Sequence, residues 1–130
     1  MFTQRHTAYK VVINDLLSNE FTQREGESDF VTIGGKQVAR IQLIATIVNK
    51  YVNDERKNGT VVLDDGSGTI RAKVWEDDFS LINEANLGSL VKLIGRVRMY
   101  NDEVYLTPEL LKEADPNWFV VNKLELSNKS

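Results

Sequence analysis

The segment between residues 59 and 75 constrains the fold most strongly, because it has the pattern of two β-strands joined by a tight turn. Residues 60–63 are β-branched or apolar, residues 64–68 are dense in Asp, Gly and Ser, and residues 69–75 alternate in polarity. Such a hairpin predicts an antiparallel sheet and therefore favours an all-β fold for the chain that carries it.

The second strand of this hairpin has two different faces. The two-residue period of a strand places Arg71, Lys73 and Trp75 together on one face. The opposite face is apolar and suits a core: Ile70, Ala72 and Val74. Two cations and a large flat ring in one exposed row are the residue types that bind single-stranded nucleic acid, because they offer charge to phosphates and a π-face to a base.

Composition limits the classes of function. A chain of 130 residues forms one domain, and with no Cys and a single His, at position 6, it can hold neither a disulfide nor a thiolate or imidazole metal site. We predict no metal and no cofactor. The net charge of −3 argues against a strongly basic protein that wraps duplex DNA. An acidic chain can still bind nucleic acid through a local basic stripe, because exposed charges are screened beyond about 8–10 Å.

No long apolar run and no charged-then-apolar leader is present in the sequence. We therefore expect an intracellular protein that does not enter a membrane, in the cytoplasm or nucleoid of an archaeon or the nucleus of a eukaryote.

The predicted order of elements favours one fold. A long strand over residues 36–48 precedes the hairpin, a short helix follows Trp75 and ends before Gly88, and strands at 90–99 (bent at Gly95) and 103–107 complete the sheet. Strand, strand, strand, helix, strand, strand is the order of an OB-fold, a small five-stranded barrel. We predict such a barrel, all-β with short helices, over residues 1–114.

The segment before the barrel contains short elements only. We expect a strand over residues 7–13, then a helical turn over residues 15–18 with Asn14 as its N-cap and Leu16 and Leu17 buried. Residues 19–29 and 49–58 are charged and are predicted to be surface loops.

Residues 115–130 form the second predicted unit, a C-terminal α-helix and tail. Asp115-Pro116 is a good helix start. The apolar residues that follow lie on two sides of a helical wheel rather than in one stripe, which favours burial on two sides and hence a partner. The predicted subunit-interface residues are Trp118, Phe119, Val120, Val121, Leu124 and Leu126.

Two stretches, Asp64-Asp-Gly-Ser-Gly-Thr-Ile-Arg-Ala-Lys-Val-Trp75 and Lys92-Leu-Ile-Gly-Arg-Val-Arg-Met-Tyr100, resemble the OB domain of the middle subunit of replication protein A. The segment from Glu103, with Asp115-Pro-Asn-Trp118, is similar to archaeal replication protein A-associated OB subunits. The resemblance covers roughly residues 8–126. A telomere-capping OB subunit would share much of it.

The resemblance implies binding of single-stranded DNA within a hetero-oligomer of replication protein A-like subunits that acts in replication, repair and recombination. It further implies that Trp75 and Tyr100 stack on bases and that the C-terminal helix joins the subunits. Lys73 matches the cation that the family has two residues before this Trp. No winged-helix domain follows the barrel in this sequence and no Ser/Gly-rich tail precedes it, so functions of those parts are not carried over.

The remaining basic residues are assigned by position. Arg71, Lys73, Arg96 and Arg98 are predicted to contact phosphates, although a solvated face paired with nearby Asp and Glu is the simpler alternative. The charged loop between the first two barrel strands is the one that OB-folds use as a clamp. Its candidate residues are Lys50, Tyr51, Arg56 and Lys57. Trp75 could instead be a core residue, and Tyr100 could pack against its own hairpin.

The sequence shows no set of residues typical of an enzyme active site. Asp64-Asp65 is typical of a turn between strands, and the Ser and Thr residues lack a His to act as base. We therefore predict a protein without catalytic activity. Two alternatives to DNA binding remain: an assembly subunit whose barrel touches DNA little or not at all, and an RNA-binding OB module.

Overall fold

The computed structural model describes residues 8–26 and 28–114. The predicted C-terminal helix, with the interface residues Trp118 to Leu126, lies outside the described residues, as does the N-terminal end of the predicted first strand. The elements of the described chain, in order, are β1 (Tyr9–Lys10), α1 (Ile13–Leu17), β2 (Phe21–Thr22), β3 (Phe30–Ile33), β4 (Lys36–Val38), β5 (Arg40–Asn53), β6 (Asn58–Asp64), β7 (Thr69–Trp75), a 3₁₀ turn (Glu76–Asp78), α2 (Phe79–Asn83), β8 (Leu90–Tyr100) and β9 (Glu103–Glu113).

Five strands close into a barrel. Their order is β5-β6-β7-β9-β8, and β8 pairs back onto β5. All neighbours are antiparallel except β7 and β9, which run parallel with Arg71 beside Tyr105 and Ala72 beside Leu106. This is the topology of the OB-fold, so the predicted all-β five-stranded barrel is confirmed.

The barrel interior is filled by inward-facing apolar residues, including the β7 set that the alternating pattern predicted. Ile41, Leu43, Ala45 and Ile47 of β5 are fully buried, and Ile70, Ala72 and Val74 of β7 are nearly so. Their burial fixes the register of each strand, because a slip of one residue would turn the apolar set toward water. The outer face of β7 is thereby committed to Arg71, Lys73 and Trp75.

The predicted strand over residues 36–48 is divided between β4 and β5, which lie in different sheets, and β5 extends beyond the predicted end. It continues to Asn53 through a register shift between Ile47 and Asn49. The extra residue at this bulge is Val48, which is exposed, and the inside–outside phase changes there. The predicted surface loop over residues 49–58 was therefore wrong for its first half, and the connection to β6 is a short turn at residues 54–57.

Strands β8 and β9 form a long antiparallel pair with a second bulge between Ile94 and Gly95. A Cβ at Gly95 would lie 2.5 Å from the Thr107 carbonyl oxygen and 2.8 Å from Pro108 Cα, so only glycine permits this close approach. The predicted bend at Gly95 is thus present. The last strand runs on to Glu113 rather than ending near residue 107.

Helix α2 closes one end of the barrel. Phe79 and Ile82 are buried, and a Cβ at Gly59 of β6 would lie 3.0 Å from Ile82 Cγ2, which shows how closely helix and strand pack. Asp78 is the N-cap of this helix, but its side chain makes no capping hydrogen bond.

The N-terminal segment differs from its prediction. Helix α1 begins at Ile13, two residues earlier than expected, and Leu17 is exposed although it was predicted to be buried, while Leu16 is buried. The predicted cap, Asn14, is instead a residue of the helix. The hydrogen bonds at the helix start come from the β6–β7 turn: the Ile13 N–H donates to Asp65 Oδ2 (2.8 Å) and the Asn14 N–H donates to Ser67 Oγ (3.0 Å).

The predicted loop over residues 19–29 contains strand β2, which pairs with β3 in a small three-stranded sheet, β2-β3-β4. Residues of this sheet and its turn reach the barrel beside β8. Gln23 Nε2 donates a hydrogen bond to the Met99 carbonyl (3.2 Å).

Candidate nucleic-acid interface

The outer face of β7 carries the row that the hairpin pattern predicted. Arg71 and Trp75 are exposed, Lys73 is half-buried, and all three point away from the core. Trp75 is 50% exposed, so the alternative that it is a core residue is wrong. A large aromatic ring left in water on a strand face is available for a ligand.

The row extends across neighbouring strands. Lys73 lies opposite Thr60 of β6, and Thr60 lies opposite Tyr51 of β5, so the three side chains share one face. Tyr51 is 58% exposed, and its hydroxyl accepts a hydrogen bond from Asn49 Nδ2 (2.8 Å). A second exposed ring therefore lies on the same face as Lys73.

Tyr105 of β9 lies at the centre of this region. The Lys73 ammonium lies 4.7 Å from the centroid of its ring, and the Trp75 ring meets it edge-on with centroids 6.4 Å apart. Its neighbour in β7 is Arg71, and its neighbour in β8 is Arg98. Four of the predicted site residues thus surround a half-buried ring that the sequence analysis did not select. We call Arg71, Lys73, Trp75 and Tyr105 the β7 surface.

Arg71 is paired within this surface. Its guanidinium NH1 lies 3.3 Å from Glu103 Oε2, and both side chains are partly exposed. Lys73, by contrast, has its ammonium on an aromatic face and has no carboxylate within salt-bridge distance among the described residues. Lys73 is therefore the cation of the row whose charge is most available to a phosphate.

Arg96 and Arg98 project from the same face of β8 but meet carboxylates from other parts of the chain. Arg96 Nε lies 3.7 Å from Glu109 Oε2, and Arg98 NH1 lies 3.9 Å from Asp29 Oδ2. Glu109 also binds Arg40 Nε at 2.6 Å, and Arg96 NH1 donates a hydrogen bond to Ser28 Oγ (3.4 Å). We call Arg96 and Arg98, with these partners, the β8 surface. It connects the barrel to the turn before β3.

Tyr100 ends β8 and is 67% exposed. The next two residues, Asn101 and Asp102, both have positive φ and form the tight turn between β8 and β9. Tyr100 lies opposite Glu103, the partner of Arg71. Arg71 and Trp75 are four residues apart, or about 13 Å along a strand. Trp75 and Tyr100 therefore lie toward opposite ends of the row formed by Arg71, Lys73 and Trp75.

The four predicted clamp residues do not lie in one loop. Lys50 and Tyr51 belong to β5, and only Arg56 and Lys57 lie in the turn. Lys50 Nζ donates hydrogen bonds to the carbonyls of Asn83 (3.0 Å) and Ala85 (2.6 Å), so its charge is used at the C-terminal end of α2. The predicted placement of Lys50 in the loop was wrong, because it belongs to β5 and the β5 bulge turns it toward the helix.

The turn residues that remain are exposed. Arg56 lies at the tip and its backbone N–H donates to Asn53 Oδ1 (3.1 Å). Lys57 has a positive φ, and its ammonium lies 5.3 Å from the ring centroid of Phe79. The Lys57 carbonyl accepts a hydrogen bond from the N–H of Glu76, next to Trp75, which fixes this turn beside the end of β7.

Asp64 and Asp65 are turn residues, as predicted. Asp64 Oδ1 accepts from the Gly66 N–H (2.8 Å), and the buried Asp65 accepts from the Ser67 N–H and hydroxyl as well as from Ile13. Within residues 8–26 and 28–114, no group of three or more acidic or His side chains is placed to hold a metal ion.

The comparisons with known proteins bear first on the family. Residues 37–113, which include all five barrel strands, match the family described as OB-fold nucleic acid binding domain. This chain belongs to that family. An uncharacterized protein of Methanocaldococcus jannaschii is 26% identical over 122 residues, which cover 94% of this chain and 48% of that protein. The chain thus spans about half the length of this relative.

Solved structures share the fold at low sequence identity. A chain of the replication protein A heterotrimer bound to ssDNA superposes with a TM-score of 0.77 at 19% identity, covering 92% of each chain. A chain of the Schizosaccharomyces pombe Stn1–Ten1 complex gives a TM-score of 0.77 at 21% identity, covering 95% of this chain and 92% of that one. Yeast replication protein A bound to ssDNA gives 0.71 at 18%, with 98% and 92% covered. These likenesses confirm that the chain has the predicted OB-fold.

None of the described helices reaches the length and apolar character needed to cross a membrane.

Proposed function

We propose that this chain binds single-stranded DNA, with little dependence on sequence, through the β7 surface. The observation that carries the proposal is the half-exposed Trp75 indole beside the Lys73 ammonium on the outer face of the third barrel strand. A base can stack on the indole while the ammonium contacts a phosphate. Membership in a nucleic-acid-binding OB family supports this use of the face.

The proposed site has a strong end and a weaker extension. Stacking on Trp75 would contribute roughly 1–3 kcal/mol, and Tyr100 would hold a second base at the far end of the row. Lys73 and Arg71 would contact the phosphates between them. Arg96, Arg98 and the turn residues Arg56 and Lys57 extend the basic track, with Tyr51 as a further exposed ring. Binding would be modest for an acidic chain and would fall with salt.

We further propose that the chain acts as one subunit of a replication protein A-like complex in DNA replication, repair and recombination, inside the cell and without catalysis. Two of the structures with the same fold come from assemblies, a replication protein A heterotrimer and Stn1–Ten1. The barrel of residues 1–114 would bind DNA, and residues 115–130 would join the partner subunits. Linking several sites in this way raises their effective concentration and so the affinity of the whole complex.

The test of this function is a binding comparison by fluorescence anisotropy at low salt. Labelled oligothymidylate, oligouridylate of equal length and a duplex are titrated with the full chain. We expect saturable binding to the DNA single strand, weaker binding to the duplex, and loss of affinity with added salt. A clear preference for the oligouridylate would identify an RNA-binding module instead, since the 2′-hydroxyl distinguishes the two.

A second candidate is an assembly subunit that touches DNA little. It is favoured by the pairing of three of the four predicted phosphate ligands, Arg71, Arg96 and Arg98, with carboxylates of the chain itself. Such a subunit would bind none of the three probes and would self-associate without its partners, which size-exclusion chromatography with light scattering detects. Replacing Trp118 and Phe119 with Ser should then restore a monomer.

A further inference from the structure

We infer that Tyr105 is a positioning residue of the single-strand site, which orients the Trp75 indole and the Lys73 ammonium before a nucleic acid arrives. The inference rests on the proposed function and adds a residue from the last barrel strand to a site otherwise built on the third. Its basis is that the Tyr105 ring contacts both Trp75, which is proposed to stack on a base, and Lys73, which is proposed to contact a phosphate.

The contact with Trp75 restricts the indole. The two ring planes are inclined by 74° with centroids 6.4 Å apart, which is an edge-to-face arrangement. Such pairs are favourable because the positive edge of one ring meets the negative face of the other. Trp75 is the last residue of β7 and is half exposed, so its neighbours on β7 alone do not determine where the indole points.

The contact with Lys73 restricts the ammonium. Its nitrogen lies 4.7 Å from the Tyr105 centroid, within the range of a cation–π interaction. A flexible lysine that is already held loses less conformational freedom on binding a phosphate. Because a ring face attracts the ammonium less strongly than a carboxylate would, the charge stays available to a phosphate.

The position of Tyr105 follows from barrel closure. Its backbone pairs with Arg71 of β7 and Arg98 of β8, and its neighbour Leu106 is fully buried. The half-buried ring is thus anchored by a core strand on either side. This gives it the fixed placement that a positioning residue requires.

The test uses Tyr105→Leu and Tyr105→Phe in the full chain, with oligothymidylate as the probe. Tyr105→Leu keeps an apolar side chain but removes both ring contacts, and we expect binding to weaken roughly three- to tenfold. Tyr105→Phe keeps the ring and should stay within about twofold of wild type, because the contacts need no hydroxyl.

A matched control exists elsewhere on the surface. Tyr9 of β1 also carries a lysine ammonium, that of Lys36, at 5.8 Å from its ring centroid. Tyr9→Leu removes the same kind of pair outside the β7 surface and should leave oligothymidylate affinity unchanged. Equal losses in Tyr9→Leu and Tyr105→Leu would overturn the inference.

A double-mutant cycle separates positioning from direct stacking. If Tyr105 acts through Trp75, adding Tyr105→Leu to Trp75→Ala should cost less than Tyr105→Leu costs in the wild-type chain. If Tyr105 itself stacked on a base, the two losses would multiply, and the positioning role would be rejected.

A readout without nucleic acid tests the inference apart from the proposed function. In a Trp118→Phe background, Trp75 is the only tryptophan, since the chain has two. Tyr105→Leu should increase quenching of Trp75 fluorescence by acrylamide, while Tyr105→Phe and Tyr9→Leu should not. Unchanged quenching in a folded Tyr105→Leu chain contradicts the inference even if DNA binds. A wild-type chain that binds no single strand contradicts the proposed function, whatever the quenching shows.

Discussion

The β7 and β8 surfaces carry the same kinds of side chain on neighbouring parts of one barrel, yet their cations have different partners. On β8, Arg96 and Arg98 face Glu109 and Asp29, and Glu109 also holds Arg40. On β7, Lys73 rests on the Tyr105 ring and Trp75 is half exposed. A basic side chain predicted from alternation is therefore not equivalent to a free positive charge.

The difference has a structural origin. The β8 cations lie beside the small N-terminal sheet, whose β2–β3 connection supplies Ser28 and Asp29. They connect that sheet to the barrel, and a nucleic acid would have to displace the carboxylates before reaching them. Aromatic neighbours, in contrast, hold a lysine without neutralising it. We therefore expect single-strand affinity to depend mainly on the β7 surface.

The largest expected effect comes from Trp75→Ala. Removing the exposed indole should weaken oligothymidylate binding by about tenfold or more, because base stacking on an aromatic side chain contributes roughly 1–3 kcal/mol. Anisotropy titrations of the wild-type and variant chains measure this loss of affinity. Leu87→Ala, which removes another exposed apolar side chain after α2, is the control and should bind as wild type. Equal affinity of Trp75→Ala and wild type would remove the main support for the β7 surface.

Lys73→Gln should have the next largest effect. Loss of one phosphate contact should reduce affinity a few-fold at low salt and lower the slope of log affinity against log salt by about 0.7. Lys36→Gln is the matched control, because Lys36 also rests on a tyrosine ring but lies outside the β7 surface. An unchanged salt slope in Lys73→Gln would mean that Lys73 does not contact a phosphate.

Glu103→Gln should tighten binding about twofold at low salt. The substitution removes the carboxylate 3.3 Å from Arg71 and leaves the guanidinium available to a phosphate. The gain should vanish in high salt, where exposed charges are screened. Titrations at two salt concentrations check this. Weaker binding in this variant would indicate that the pair with Glu103 orients Arg71 instead of shielding it.

Arg98→Gln should have the smallest effect on binding, below about twofold. Its partner, Asp29, lies at 3.9 Å, and so long a pair with a half-exposed guanidinium contributes at most about 1 kcal/mol to stability. Denaturant unfolding should therefore show a slight loss of stability, and anisotropy almost no loss of affinity. A loss as large as that in Lys73→Gln would make the two surfaces one continuous site.

The sequence predicted what depends on local spacing. The inward and outward faces of β7 follow from a two-residue period, and so do the outward positions of Arg96, Arg98 and Tyr100 on β8. The bend at Gly95 was also predicted, because close backbone approach selects few residue types. These features need no knowledge of distant contacts.

Contacts between distant segments could not be predicted in this way. Tyr105 meets Lys73 and Trp75 only because the barrel closes with β7 and β9 in parallel, and that register is set by packing. Lys50 was assigned to the wrong place because a bulge near Val48 changes the phase of β5. The start of α1 was misplaced because its hydrogen-bond partners, Asp65 and Ser67, lie more than fifty residues further along the chain.

The central claim is that a base stacks on Trp75, and Trp75 fluorescence during an oligothymidylate titration tests it most directly. The Trp118→Phe chain isolates the signal of this one indole. We predict saturable quenching whose dissociation constant matches that from the anisotropy titration and rises with added salt. Binding detected by anisotropy with no change in Trp75 fluorescence would contradict the claim and place the nucleic acid elsewhere on the barrel.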